Sequence, residues 1–179
     1  MAKWMATRRR DSTRQRLPAV IVLLLCLACD NALGVVPPLF DAHLHYNVEH
    51  AEMYPPDKVL SILRDSNVSA AVVTGRPPEQ ALYLYERAPS LVVPVLGLYW
   101  TPGEKQTWMH DNSLPGRVER LLAKREWGGI GELHIFAENR RSPVFLRIVA
   151  LAAEHALPLM VHSDPAVIDS IFEHAPESR

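Results

Sequence analysis

After residue 34 the chain keeps to one pattern five times over: a short apolar run, then a longer segment with apolar residues at helical spacing. The apolar runs are residues 39–46 (LFDAHLHY), 69–76, 91–100, 128–136 and 157–164, and the amphipathic segments are 56–67, 77–89, 113–127, 142–156 and 165–175. In the first helical segment Val59, Leu60 and Leu63 make the apolar stripe. Near-continuous apolar strands joined by helical crossovers call for a parallel sheet covered by helices. A barrel and an open sheet both satisfy that pattern. With 48% hydrophobic and 22% charged residues, and no linker or low-complexity tract, the chain after residue 34 reads as a single α/β domain.

The first 34 residues have a different layout. Lys3, Arg8, Arg9, Arg10, Arg14 and Arg16 precede an uncharged apolar run, Leu17 to Cys29, which is followed by Asp30 and the small-residue stretch NALG. That order is the layout of a secretory signal peptide, so the protein is expected to be exported, either periplasmic or secreted. The run falls short of the roughly 20 residues that span a bilayer, and Pro18 sits near its start, so no transmembrane anchor is expected. Cleavage after Ala32 or Gly34 fits the layout. Cys29 after CLA also resembles the lipid-modified cysteine of a bacterial lipoprotein, with Cys26 where an aliphatic residue is usual.

Six of the 19 basic and two of the 20 acidic residues lie in this leader, so the rest of the chain carries a net charge of −5. An acidic domain without a basic patch is not a nucleic-acid binder. Both cysteines, Cys26 and Cys29, also lie in the leader. An exported domain without disulfides must be held by its core or by bound metal.

Side chains two apart on a strand share a face. In LFDAHLHY this puts Asp41, His43 and His45 on one face, with Phe40, Ala42 and Leu44 on the other to meet the helices. Two neutral imidazoles at a strand end can chelate a divalent ion, with Asp41 as a carboxylate behind them. In the fourth run Glu132 and His134 share a face opposite Leu133 and Ile135, and Gly128, Gly129 and Gly131 allow close backbone approach. In the fifth, Met160, His162 and Asp164 point opposite to Leu159 and Val161. Taken singly, each stretch also reads as ordinary structure: a polar strand end, a Glu paired with Arg or Lys, a satisfied core histidine. Three strands that each carry metal-capable groups at the same end and on the same face point instead to an active site at the mouth of parallel strands.

In this order and at these intervals, FDAHLHY, GIGELH and PLMVHSD resemble the first, fourth and fifth strands of the amidohydrolase superfamily, in its amidohydrolase-related (amidohydrolase 2) branch. The resemblance covers nearly everything after residue 36. It implies a (β/α)8 TIM-type barrel holding one or two divalent ions, usually zinc, that activate water to hydrolyse a small-molecule substrate; some members decarboxylate instead. By position it makes His43, His45, Glu132 and His162 the metal ligands, with Glu132 the residue that bridges two ions in dinuclear members. GELHIF also resembles the fourth strand of the TatD-type nucleases, from which His134 departs.

The family's strand-six histidine and strand-eight aspartate have no counterpart in the sequence. The expected fold is therefore a partial barrel of about five β/α units over residues 35–179, with open edges prone to self-association. Little hydrolysis is expected of it, and a catalytically inactive metal-binding fragment or interaction protein is the alternative function. Asp164 is the one carboxylate beside His162 that can stand in as a base. Arg76, Tyr99, Trp100 and His134, with Tyr46, are candidates for lining the substrate pocket, and an inward-pointing Arg76 would indicate an anionic substrate. His50, His110, His155 and His174 read as surface or helix residues.

Overall fold

A computed structural model describes residues 36–178. The leader and Cys29 lie outside them. Within them the five expected units are present: β1 (Leu39–His45), α1 (Pro56–Asp65), β2 (Val68–Thr74), α2 (Glu79–Tyr85), β3 (Val92–Leu96), α3 (Leu114–Leu122), β4 (Gly129–His134), α4 (Pro143–Glu154), β5 (Leu159–His162) and α5 (Pro165–His174). All four strand pairings are parallel, and the strand order follows the chain from β1 to β5. Neighbouring strands sit roughly 4.8 Å apart, so a flat sheet would hold β1 and β4 roughly 14 Å from each other with side chains upright. Here side chains of β1 and β4 come within 3.4 Å. The sheet is curled into a half-barrel, consistent with part of a TIM-type barrel.

Proline opens the helices. Pro56, Pro143 and Pro165 are each a first helical residue, where the missing N–H has no partner to lose and φ is already helical. Leu114, Val118 and Leu122 of α3 are buried at intervals of one turn, as are Leu60 and Leu63 of α1. They close on Ala71 and Val73 of β2, Val92 and Leu96 of β3, and Ile130 and Leu133 of β4. Phe145, Ile148, Val149 and Ala152 of α4 complete this core.

Two expectations are corrected. The outer face of β1 meets the helical layer only at Leu44; Phe40 is 60% exposed, because β1 is an edge strand. The third strand stops at Leu96 rather than running to residue 100. Leu98 and Tyr99 are buried in the loop beyond it, so an apolar loop imitates a longer strand. Four short 3-10 turns were not expected: Val48–His50, Pro102–Gln106, Trp108–His110 and Ala137–Asn139. All of them follow the C-terminal ends of strands β1, β3 and β4, and they build the rim of the mouth.

Among the described residues, no helix is long and apolar enough to cross a membrane.

Candidate metal centre

Two strand irregularities aim the side chains of the mouth. On β1 the register against β2 slips between Asp41 and Leu44. Asp41 Oδ1 accepts the backbone N–H of His43 at 3.0 Å, so this carboxylate fixes the local backbone; the hydrogen bond it makes is not to an imidazole. On β4 the register against β5 slips between Gly131 and Leu133, around Glu132. Gly131 has φ +141°, and a Cβ there would stand 2.3 Å from the Met160 carbonyl oxygen, so only glycine fits. The Gly131 carbonyl accepts a hydrogen bond from Thr74 Oγ1 at 2.9 Å, which anchors the kink to β2.

The result is one buried carboxylate ringed by imidazoles. Glu132 Oε2 lies 3.5 Å from His43 Nε2, 3.4 Å from His45 Nε2 and 3.5 Å from His134 Nε2. Its Oε1 lies 3.3 Å from His162 Nδ1. Glu132 is 8% exposed, whereas the side chains of His43 and His162 face the open mouth. Two ligand triads share the glutamate: His43, His45 and Glu132 on one side, Glu132, His134 and His162 on the other. Within each pair the rings lie close, with His43 Nε2 and His45 Nε2 at 2.9 Å and the His134 and His162 rings stacked at 4.7 Å.

The donor set fits a divalent cation. Ligand atoms bound at about 2.0–2.1 Å around a tetrahedral ion stand roughly 3.3 Å from one another, close to the separations that Glu132 keeps from its four imidazoles. A buried carboxylate also needs a cation. No Arg or Lys pairs with Glu132 among the described residues; its ion-pair neighbours are the four histidines. Burial holds His134 down to about 4, helped by the nearby Lys105 ammonium and the other histidines against the pull of Glu132. His45 is lowered as well, first by burial and then by His43. At neutral pH both rings are uncharged, with lone pairs free for a metal and no positive charge to offer Glu132.

His134 is the most firmly held of the four. Tyr99 Oη accepts its backbone N–H at 2.7 Å and lies 3.3 Å from its Nδ1, and Trp108 Nε1 donates to its carbonyl at 3.0 Å. When Nδ1 carries the proton it donates to Tyr99, which leaves Nε2 directed at Glu132 as a ligand atom. Burial raises the Tyr99 hydroxyl pKa well above its usual value, so it stays protonated.

The remaining candidates divide. Arg76, Tyr99 and His134 line a cavity of about 180 Å³ together with His45, Lys105 and Glu132. Trp100 is not part of that lining; it packs in the loop under the Arg117 guanidinium, 4.3 Å from its ring centre. Tyr46 is 2% exposed and donates to the Tyr54 carbonyl, lining an apolar cavity between β1 and α1 in place of the mouth. Asp164 Oδ2 accepts the Ala137 N–H at 2.8 Å, tying the loop after β4 to the start of α5. It belongs to neither ligand triad. His50, His110, His155 and His174 are exposed.

Sequence reasoning missed Thr74, Trp108 and Lys105. A threonine ending an apolar strand gives no hint of a partner in β4. The turn carrying Lys105 did have a signal: Thr101 and Glu104 have the spacing of a capping box, and Glu104 Oε2 accepts the Thr101 N–H at 3.1 Å.

No protein-family model matches this chain, and no curated protein matches it.

Proposed function

We propose that this chain is a metal-dependent hydrolase of the amidohydrolase type, acting on a small molecule at the mouth of its half-barrel. The observation that carries the reading is the single buried carboxylate with four imidazoles around it, drawn from the C-terminal ends of β1, β4 and β5. That is where β/α barrels place catalytic groups, and the strand motifs that resemble the family are the ones that supply these residues. His43 and His45 would hold an ion with Glu132, and His134 and His162 would hold a second against the same carboxylate. Nitrogen and oxygen ligands without thiolate suit zinc, with manganese or iron as further candidates. A divalent ion bound there supplies Lewis acidity, which acidifies water and polarises a carbonyl or phosphoryl group.

The chain's own groups do the rest. Tyr99 and Trp108 fix His134 by its backbone and ring. Thr74 and Gly131 fix Glu132 on its kink. Among the described residues Glu132 is the one carboxylate in either ligand triad.

A second reading, metal binding without turnover, is favoured by the ligand triads themselves, which among the described residues hold no carboxylate besides Glu132 to serve as a separate base. An assay of the full chain with ester, lactone and amide substrates separates the two. The hydrolase reading expects turnover that chelator abolishes and zinc or manganese restores. Bound metal with no turnover on any of the three substrate classes would leave the binding reading in its place.

A further inference from the structure

The cavity beside the cluster has an electrostatic character that the metal ligands do not account for. It measures about 180 Å³, room for several waters at roughly 30 Å³ each. Two cations line it, Arg76 after β2 and Lys105 in the Pro102–Gln106 turn, against one carboxylate, Glu132.

Each cation has donors to spare. The Lys105 side chain is exposed and makes no hydrogen bond or ion pair among the described residues. It also lines the neighbouring cavity of about 390 Å³ with His134 and His162. Arg76 gives Nη2 to Glu49 Oε1 at 2.8 Å, which holds the guanidinium in place from the outer side. Its Nε is shut off from solvent without any partner. Thr74, which shares the lining, donates its hydroxyl to the Gly131 carbonyl, and Tyr99 Oη accepts the His134 N–H. Away from the histidines, Asn47 and the Tyr99 hydroxyl also face this wall, and its two charged groups are both cations, Arg76 and Lys105.

We propose that this cavity is an anion subsite: Arg76 and Lys105 hold a carboxylate or phosphate group of the substrate, placing the bond to be broken against the Glu132 cluster. The assignment rests on the hydrolase reading for the role of the neighbouring cluster, but the subsite stands on its own two cations. A charge-assisted hydrogen bond contributes about 1.5–3 kcal/mol, so removing either cation should weaken anion binding about 10-fold or more.

The test uses the full chain, zinc-loaded and zinc-free. Acetate serves as the carboxylate probe, methylphosphonate as the phosphate probe and acetamide as the uncharged control, with binding followed by NMR titration. Zinc content is measured on every sample. Acetate or methylphosphonate should bind well ahead of acetamide, and whichever binds tighter identifies the group. Lys105→Met and Arg76→Met should each weaken that binding about 10-fold at unchanged zinc content. Lys105→Arg should restore it, and Lys124→Met, on the exposed end of the α3 region, should leave it alone. Anion affinity that survives both Met substitutions on folded protein, or acetamide binding as well as acetate, overturns the subsite. Anion binding that depends on Lys105 and Arg76 in a chain that takes up no zinc supports the subsite and defeats the metal reading.

Discussion

Glu132→Gln should cost more zinc affinity than the roughly 10- to 100-fold typical of losing a residue that only supports a ligand. Glu132 belongs to both ligand triads, so one substitution removes the shared charge from each. Glutamine keeps the shape and fills the same space, which separates loss of charge from loss of packing. The metal-free proteins supply the second half of the result. At pH 7.5 His45 and His134 are neutral, so neither ring brings the buried carboxylate a positive charge. Removing an uncompensated buried charge does not destabilise a fold, so metal-free Glu132→Gln should unfold at the same denaturant concentration as the parent or a higher one. If Glu132 were instead the partner of protonated histidines, the variant would lose stability while zinc affinity barely changed. Calorimetric zinc titration and denaturant unfolding of both chains decide between these outcomes.

Gly131→Ala should disrupt the same site through the backbone. At φ +141° an L side chain is strained in any surroundings, and here its Cβ would meet the Met160 carbonyl oxygen at 2.3 Å and the Met160 Cβ at 2.9 Å. Those atoms belong to the adjacent strand and cannot yield without separating β4 from β5. The expected cost is about 3 kcal/mol or more, at the upper end of overpacking effects because strain and collision add. Gly103→Ala is the matched control: nothing lies within 4 Å of its Cβ position, so it should stay within about 0.5 kcal/mol. Equal midpoints for the two variants in urea would show that the kink at Glu132 is not held as described.

The β/α alternation was legible because a parallel strand buried on both faces has a composition unlike its helices. Glu132 and His134 were legible as a pair because the two-residue period survives at that end of β4, with Leu133 and Ile135 packed on the other side. The period fails where the backbone slips. Asp41 sits at the β1 irregularity and turns to its own backbone instead of supporting a histidine ring. Tyr99 and Trp100 are adjacent and equally aromatic, yet one grips His134 and the other lies under Arg117. Their strand has already ended at Leu96, so no alternation rule governs them. Thr74 finds its partner 57 residues away, a separation across which local pattern carries no information. Lys105 was invisible for a different reason: its place over the mouth depends on a 3-10 turn folding back from the end of β3.

The central claim is that the side chains meeting at this mouth bind a divalent ion. The most direct measurement is elemental analysis of the full chain after zinc loading and gel filtration, alongside the His43→Ala/His45→Ala double variant, with circular dichroism confirming that both are folded. The account predicts at least one zinc retained per parent chain and a clear loss in the double variant. A folded parent that retains no zinc, or a double variant that retains as much as the parent, would contradict it.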